Sequence, residues 1–236
     1  MILDDEDILI QTAIDSVRYE MVDLGLSVKW ANKNVGASYP EDAGLYFQWG
    51  DTVGYTADQV GRDKVFNWEN YKFSTSSILT KYYSTSGLKV LESEDDAATV
   101  HMGSRYRMPT TDEIEELISN TTQTFIDLDE NEYSKEQARN GVIEPGRLKG
   151  VRFTGSNGNN IFIPATGYCK ASLLNWISSY GELWSSSLSD HYVRCARCLN
   201  FYYDNGDVYE HNEGRYVGLC VRGVQDNLKL NTSRNP

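Results

Sequence analysis

From Leu148 to Val224 the chain is written in short strand-like runs, each cut off by turn residues before it could lengthen. LKGVRFTG (148–155) is closed by the turn SNGNN, NIFIPATGY (160–168) follows, and strand and turn then alternate up to Val224. Runs bounded this closely by Gly, Asn, Asp and Ser read as strands. The core therefore has to be assembled from many short strands rather than from long helices. The clearest helix is Met108–Ser119, where Pro109 precedes Thr110 and Thr110 with Glu113 forms a capping box. Ile114, Leu117 and Ile118 make its buried stripe, and Asp95–Val100 is a second short helical candidate. Two short helices among many strands and long loops predict an α+β fold.

The remaining segments fit one domain over residues 21–224. Val22–Ala31 reads as a strand broken by Gly25, and Tyr46, Phe47 and Trp49 are core aromatics. Residues 52–90 are loop-rich, and residues 120–147 read as a polar insertion without hydrophobic periodicity. In the acidic segment 1–20, Ile8, Ile10, Ala13, Ile14 and Val17 fit a short amphipathic helix for mounting or oligomerisation. Residues 225–236 read as a disordered hydrophilic tail.

The net charge of −12 argues against nucleic acid as a partner, because phosphate binding needs clustered Lys and Arg. No stretch approaches the length of a membrane-spanning helix, so no membrane insertion is expected. The N-terminus MILDDEDILIQ has no basic region followed by an apolar core, so no signal peptide is visible.

Residues 185–224 hold three of the four cysteines and two of the three histidines, and contain no Lys, Gln, Met, Trp, Thr, Ile or Pro. Leu188, Leu199, Phe201, Val208, Leu219 and Val221 remain as an apolar framework. Cys195-x-x-Cys198 with His191, His211 and Cys220 offers zinc ligand types. Only one pair has knuckle spacing, however, and residues three apart on a strand face opposite sides. Calcium through Asp204, Asn205 and Asp207 competes with the reading of D-N-G-D as a turn. Ser185–Ser187 near Asp190 and His191 offers hydrolytic residue types without a nucleophile signature. The adjacent acids Asp95–Asp96 and Glu115–Glu116 read as exposed helix faces. No catalytic residue, metal or cofactor is expected.

VDLGLSVKWA…NVGA (22–37), DDAAT…GSRYRMPTTDEIEEL (95–117), GNNIFIPATGY (158–168) and LWSSSL…GRYVGLCVRGV (183–224) resemble a bacteroidal surface and phage domain family. Its fold is C-type-lectin-like, also described as formylglycine-generating-enzyme-like. The C-terminal segment, 184–224, is similar to the variable region of a diversity-generating retroelement target protein. In such proteins template adenines are copied with errors. An AAC or AAT codon then yields Asn, Tyr, Ser, Asp, His, Cys, Arg, Gly, Val and others, but never Lys, Gln, Met, Trp or Glu. Glu210 and Glu213 depart from that set and have to be template-encoded. Variable regions of this family commonly close the chain, whereas twelve residues follow Val224 here.

The resemblance implies a hypervariable ligand- or receptor-binding protein on a phage tail or a bacterial cell surface, facing a protein or glycan. Tyr, Ser, Asn, Asp and Gly with occasional Arg and His is also the palette of antibody paratopes. The expected binding face comprises His191, Tyr192, Arg194, Cys195, Cys198, Asn200, Tyr202, Tyr203, Asp207, Tyr209, His211, Asn212, Val217 and Cys220. Two-residue periodicity turns Leu199 and Phe201 inward, and Cys198, Asn200 and Tyr202 outward. A fixed lectin or adhesin that binds glycans is the alternative. A formylglycine-type oxidase is a third reading, but Cys195, Cys198 and Cys220 do not match the context of its reactive cysteine pair.

Overall fold

Gly25 takes a left-handed conformation (φ 76°) and turns β1 (Met21–Val22) back onto β2 (Val28–Ala31), so the interrupted strand is a hairpin. The computed structural model describes residues 18–76, 78–83 and 85–227. The proposed mounting helix falls mostly on residues 1–17, outside the described residues. A third strand, β16 (Val224–Asp226), pairs with β2 through Val224↔Trp30, Gln225↔Lys29 and Asp226↔Val28. Asn227 then donates its side-chain amide to the carbonyls of Leu26 and Ser27 at 2.9 Å. The expected tail boundary at 225 is thus wrong. Main-chain pairing needs no apolar side chain, so polar Gln225 and Asp226 extend the sheet; residues 228–236 lie outside the described residues.

The 120–147 stretch is also not an insertion. It contributes β6 (Thr121–Asp127), β7 (Glu132–Ser134) and the short α3 (Lys135–Arg139). With β8 (Leu148–Gly155) and β9 (Asn160–Pro164) these strands form a sheet in the order β7-β6-β8-β9. Its polar side chains are spent on local hydrogen bonds, which is why hydrophobic period failed to reveal it. Gln123 donates to the Ile118 carbonyl at 3.0 Å, and Asp127 accepts from Tyr133, from Asn131 and from two backbone amides.

Two helices precede that sheet: α1 (Ala97–Met102) and α2 (Thr111–Asn120). The capping box forms as expected, with Thr110 and Glu113 bonded reciprocally at 2.8 and 3.3 Å. Ile114 and Leu117 are fully buried. Asp95 and Asp96 are buried, not exposed, because each has structural work. Asp96 caps α1 and accepts the Met108 amide, both at 2.8 Å. Asp95 accepts from Lys72, Lys81 and Tyr82 at 2.6–2.8 Å.

The third large sheet has five strands in the order β14-β13-β12-β15-β3. They are β14 (Val208–Gly214), β13 (Cys195–Tyr202), β12 (Tyr180–Leu188), β15 (Leu219–Cys220) and β3 (Tyr46–Phe47). Two ribbons complete the fold: β4 (Ser74–Thr75) with β5 (Ile78–Leu79), and β10 (Tyr168–Lys170) with β11 (Leu173–Asn175). The described part is α+β and strand-rich. No helix in it is long and apolar enough to cross a membrane.

Two cores flank the five-stranded sheet. One gathers Leu183, Leu199, Phe201 and Val208 with Ile114 and Leu117 of α2 and the apolar residues of β8 and β9. The other gathers Trp184, Ala196, Cys198 and Leu219 with Phe47, Trp49, Tyr71, Phe73 and Tyr82. β13 is therefore covered on both sides over much of its length, and that decides which of its side chains meet solvent.

Candidate functional site

The β12–β13–β14 register sets the site. Glu182 pairs with Asn200, and Asn200 with Tyr209; Trp184 pairs with Cys198, and Cys198 with His211; Ala196 pairs with Glu213. Since strand side chains alternate, Tyr180, Glu182, Asn200, Tyr202, Tyr209, His211 and Glu213 share one face. The opposite face carries Leu199, Phe201 and Val208 toward α2. The register slips between Trp184 and Leu188, a bulge facing Arg197. The serines of that bulge are committed to backbone: Ser185 Oγ donates to the Arg197 carbonyl, Ser186 Oγ to the Pro109 carbonyl, and Ser187 Oγ accepts from the Thr111 amide. Asp190 is paired with Lys89 instead. The Ser–His–Asp grouping considered from sequence is not assembled.

The expected binding face divides. His191, Tyr192 and Arg194 are exposed on the loop between β12 and β13, Tyr192 at 62%. Arg194 lies over the Trp68 ring, 5.3 Å from its centroid. Cys195, Tyr202, Tyr203 and His211 are half-buried, and Asp207 and Tyr209 are exposed. Cys198, Asn200, Val217 and Cys220 are fully buried, which corrects their assignment to a solvent face. Alternation correctly opposed Cys198 and Asn200 to Leu199 and Phe201. The error was to equate the second side of the strand with solvent, when a second core covers Cys198. Asn212 is misassigned for another reason: it neighbours His211 in sequence and so points to the other side of the sheet, toward α2.

Residues that the sequence reading missed fill the gaps. Trp176 is 52% exposed and lies edge-on to Tyr202 at 6.0 Å. Tyr202 lies 5.5 Å from Tyr180 and 4.6 Å from Tyr203, and Tyr180 lies 5.9 Å from Tyr168. Tyr209 stands 6.1 Å from His211. Edge-on contacts at these separations hold aromatic rings in place and leave their faces available. Tyr216 joins Trp68 at 5.2 Å beneath Arg194.

Beneath Tyr209 and His211 lies Glu182, 1% exposed. Its Oε1 accepts from Asn200 Nδ2 at 2.9 Å, with Cys198 Sγ at 3.8 Å. Its Oε2 has no hydrogen-bond partner among the described residues. Burial, reinforced by the nearby Glu213 carboxylate, pushes Glu182 up to about 8. An acid between Gly181 and Leu183 in a strand-like run was the available sequence signal.

The four cysteines are free thiols. Burial pushes all of them up, and at Cys198 the Glu182 and Glu213 carboxylates add to the effect. A thiolate nucleophile needs the opposite environment. The turn reading of D-N-G-D is supported: Asn205 Oδ1 accepts the Asp207 amide, and Arg139 holds the Asp207 carboxylate. On the α2 side, Arg197 Nε stands 2.7 Å from Glu210 Oε1 without hydrogen-bond alignment.

Comparison with protein-family models, with curated proteins and with solved structures gave no match.

Proposed function

We propose that this chain is a ligand-binding protein of C-type-lectin-like fold, and that its recognition surface is the exposed part of the 184–224 region. The observation that carries this reading is the aromatic surface along β13 and β14. Trp176, Tyr202 and Tyr203 form one ring cluster, Tyr209 stands beside His211 farther along the sheet, and the loop His191–Arg194 borders the same strands. Large rings pre-positioned by edge contacts give contact area at little cost in side-chain entropy. The frame beneath is fixed by main-chain pairing and two cores, so side chains on this surface are free to differ without loss of the fold.

On this reading the protein is a hypervariable binder from a diversity-generating retroelement, carried on a phage tail or a bacterial surface, and it performs no chemistry. The elevated thiols support recognition over cysteine redox catalysis. A fixed glycan-binding lectin is the second reading, favoured by the half-exposed Trp176, whose ring face suits an apolar sugar face. The nucleotide sequence flanking the gene separates the two. A hypervariable binder has a near-copy of the segment coding for 184–224 that differs almost only at adenines, beside a reverse transcriptase gene. Absence of that copy from the complete locus removes the retroelement reading.

A further inference from the structure

Glu182, His211 and Glu213 each place one ligand-type atom within 4.8 Å of the other two. They come from two strands that are not neighbours, with β13 between them, so the grouping is produced by register and is invisible in the sequence. From these residues we infer that the chain holds a divalent transition-metal ion, best matched by Zn2+, at the foot of the aromatic surface.

The first argument is the state of Glu182. A carboxylate oxygen with no partner in a residue only 1% exposed is costly unless something positive reaches it. Asn200 satisfies one oxygen of Glu182, and the other is left over. Among the described residues no Lys or Arg forms an ion pair with Glu182 or Glu213. Lys170 reaches Glu213 only at longer range and is hydrogen-bonded to Tyr216. A divalent cation neutralises both acids and supplies the missing partner.

The second argument is donor chemistry. One imidazole nitrogen with two carboxylates suits zinc; calcium and magnesium prefer an all-oxygen shell with several more ligands. Three protein ligands leave a tetrahedral ion one open position. Glu182 is buried, whereas His211 and Glu213 are half-buried, so the cluster is open to the surface on the His211 and Glu213 side. A bound ion would then offer a Lewis-acid contact to a carboxylate or hydroxyl of a ligand on the surface.

A second acidic grouping, Glu92, Glu94 and Asp95, makes an instructive contrast. There Lys81 Nζ sits 2.6, 3.2 and 2.6 Å from the three carboxylates, and Lys72 adds a contact to Asp95. That cluster already has its cation; among the described residues no Lys or Arg ion-pairs with Glu182 or Glu213.

The test uses the full chain stripped with a chelator and titrated with Zn2+ by calorimetry, with Co2+ as a visible-absorption probe of ligation. The wild type is expected to bind one ion per chain. E182Q keeps the size and hydrogen bonding of the side chain and removes its charge; H211A removes the imidazole. Each should weaken Zn2+ binding by more than about 100-fold, beyond the 10–100-fold typical of outer-shell partners. H101A, on the exposed side of α1, should leave Zn2+ binding unchanged and controls for surface histidines. Melting of the stripped variants establishes that they are folded. Three results overturn the inference: no stoichiometric binding by the wild type, equal loss in H101A, or binding retained in either E182Q or H211A. The first of these would leave Glu182 as a buried neutral acid bonded to Asn200. None of them bears on whether the aromatic surface binds a partner.

Discussion

Residues 190–213 and 215–224 draw on much the same residue types, Tyr, Arg, Cys, Gly, Val and Leu among them, yet the first reaches the surface on both sides of β13 and the second does not. In the first segment Asp190–Arg194 is exposed and β14 is mostly half-buried or exposed. In the second every residue but Tyr216 is buried, including Arg215 and Arg222. The difference follows from place in the sheet. β14 is an edge strand, hydrogen-bonded only to β13, whereas β15 lies between β12 and β3. An edge strand leaves side chains at the rim, and an interior strand is closed in by its neighbours. The lesson is that one composition spans a surface and its own foundation. Val217 and Cys220 belong to the foundation.

Substitutions in the two segments should therefore have unequal effects on stability. Leu219→Ala should cost about 3 kcal/mol, because it empties a fully buried site in the second core. Urea unfolding measures this, and a loss below about 1 kcal/mol would break the contrast. Gly218→Ala should cost about 1–3 kcal/mol. An added Cβ would lie 2.4 Å from the Phe66 ring, and the Gly218 amide and carbonyl are both bonded to Cys169. Normal stability in that variant would mean that Phe66 yields more easily than the packing implies.

Smaller still is the effect expected at the rim. Tyr192→Ala and Tyr209→Ala should each change stability by no more than about 0.5 kcal/mol, as is usual for surface substitutions. Tyr192 is exposed, its ring edge-on to His191, and Tyr209 is 37% exposed. Thermal melting of both variants checks this, and a loss comparable to Leu219→Ala would place them in the frame instead of on the surface.

What was legible in the sequence was local. The Thr110–Glu113 capping box, the break at Gly25 and the buried Ile114 and Leu117 depend on neighbours a few residues away, and all were read correctly. What was not legible depended on distant segments. Cys198 is covered by a core built with residues 47–91, so nothing near it in the sequence announces that both sides of β13 are dry. Asp95 reads as solvated until Lys72, Lys81 and Tyr82 converge on it. Glu182 and Glu213, thirty-one positions apart, meet only through β13. His191, Tyr192, Arg194 and Tyr209 are exposed, as the sequence reading expects, because they lie on a loop and an edge strand, where residue type and exposure agree.

The central claim is that recognition is confined to the rim and that 215–224 is frame. A display library tests it most directly, with random codons at His191, Tyr192, Arg194, Tyr202 and Tyr209 in one arm and at Val217, Leu219, Cys220, Val221 and Arg222 in the other. Each arm is sorted for protease resistance and sequenced. The account predicts that most rim variants survive with nearly unrestricted residues, while the second arm returns mainly the starting residues or close apolar replacements. Equal survival of the two arms, or stricter selection at the rim, would contradict it.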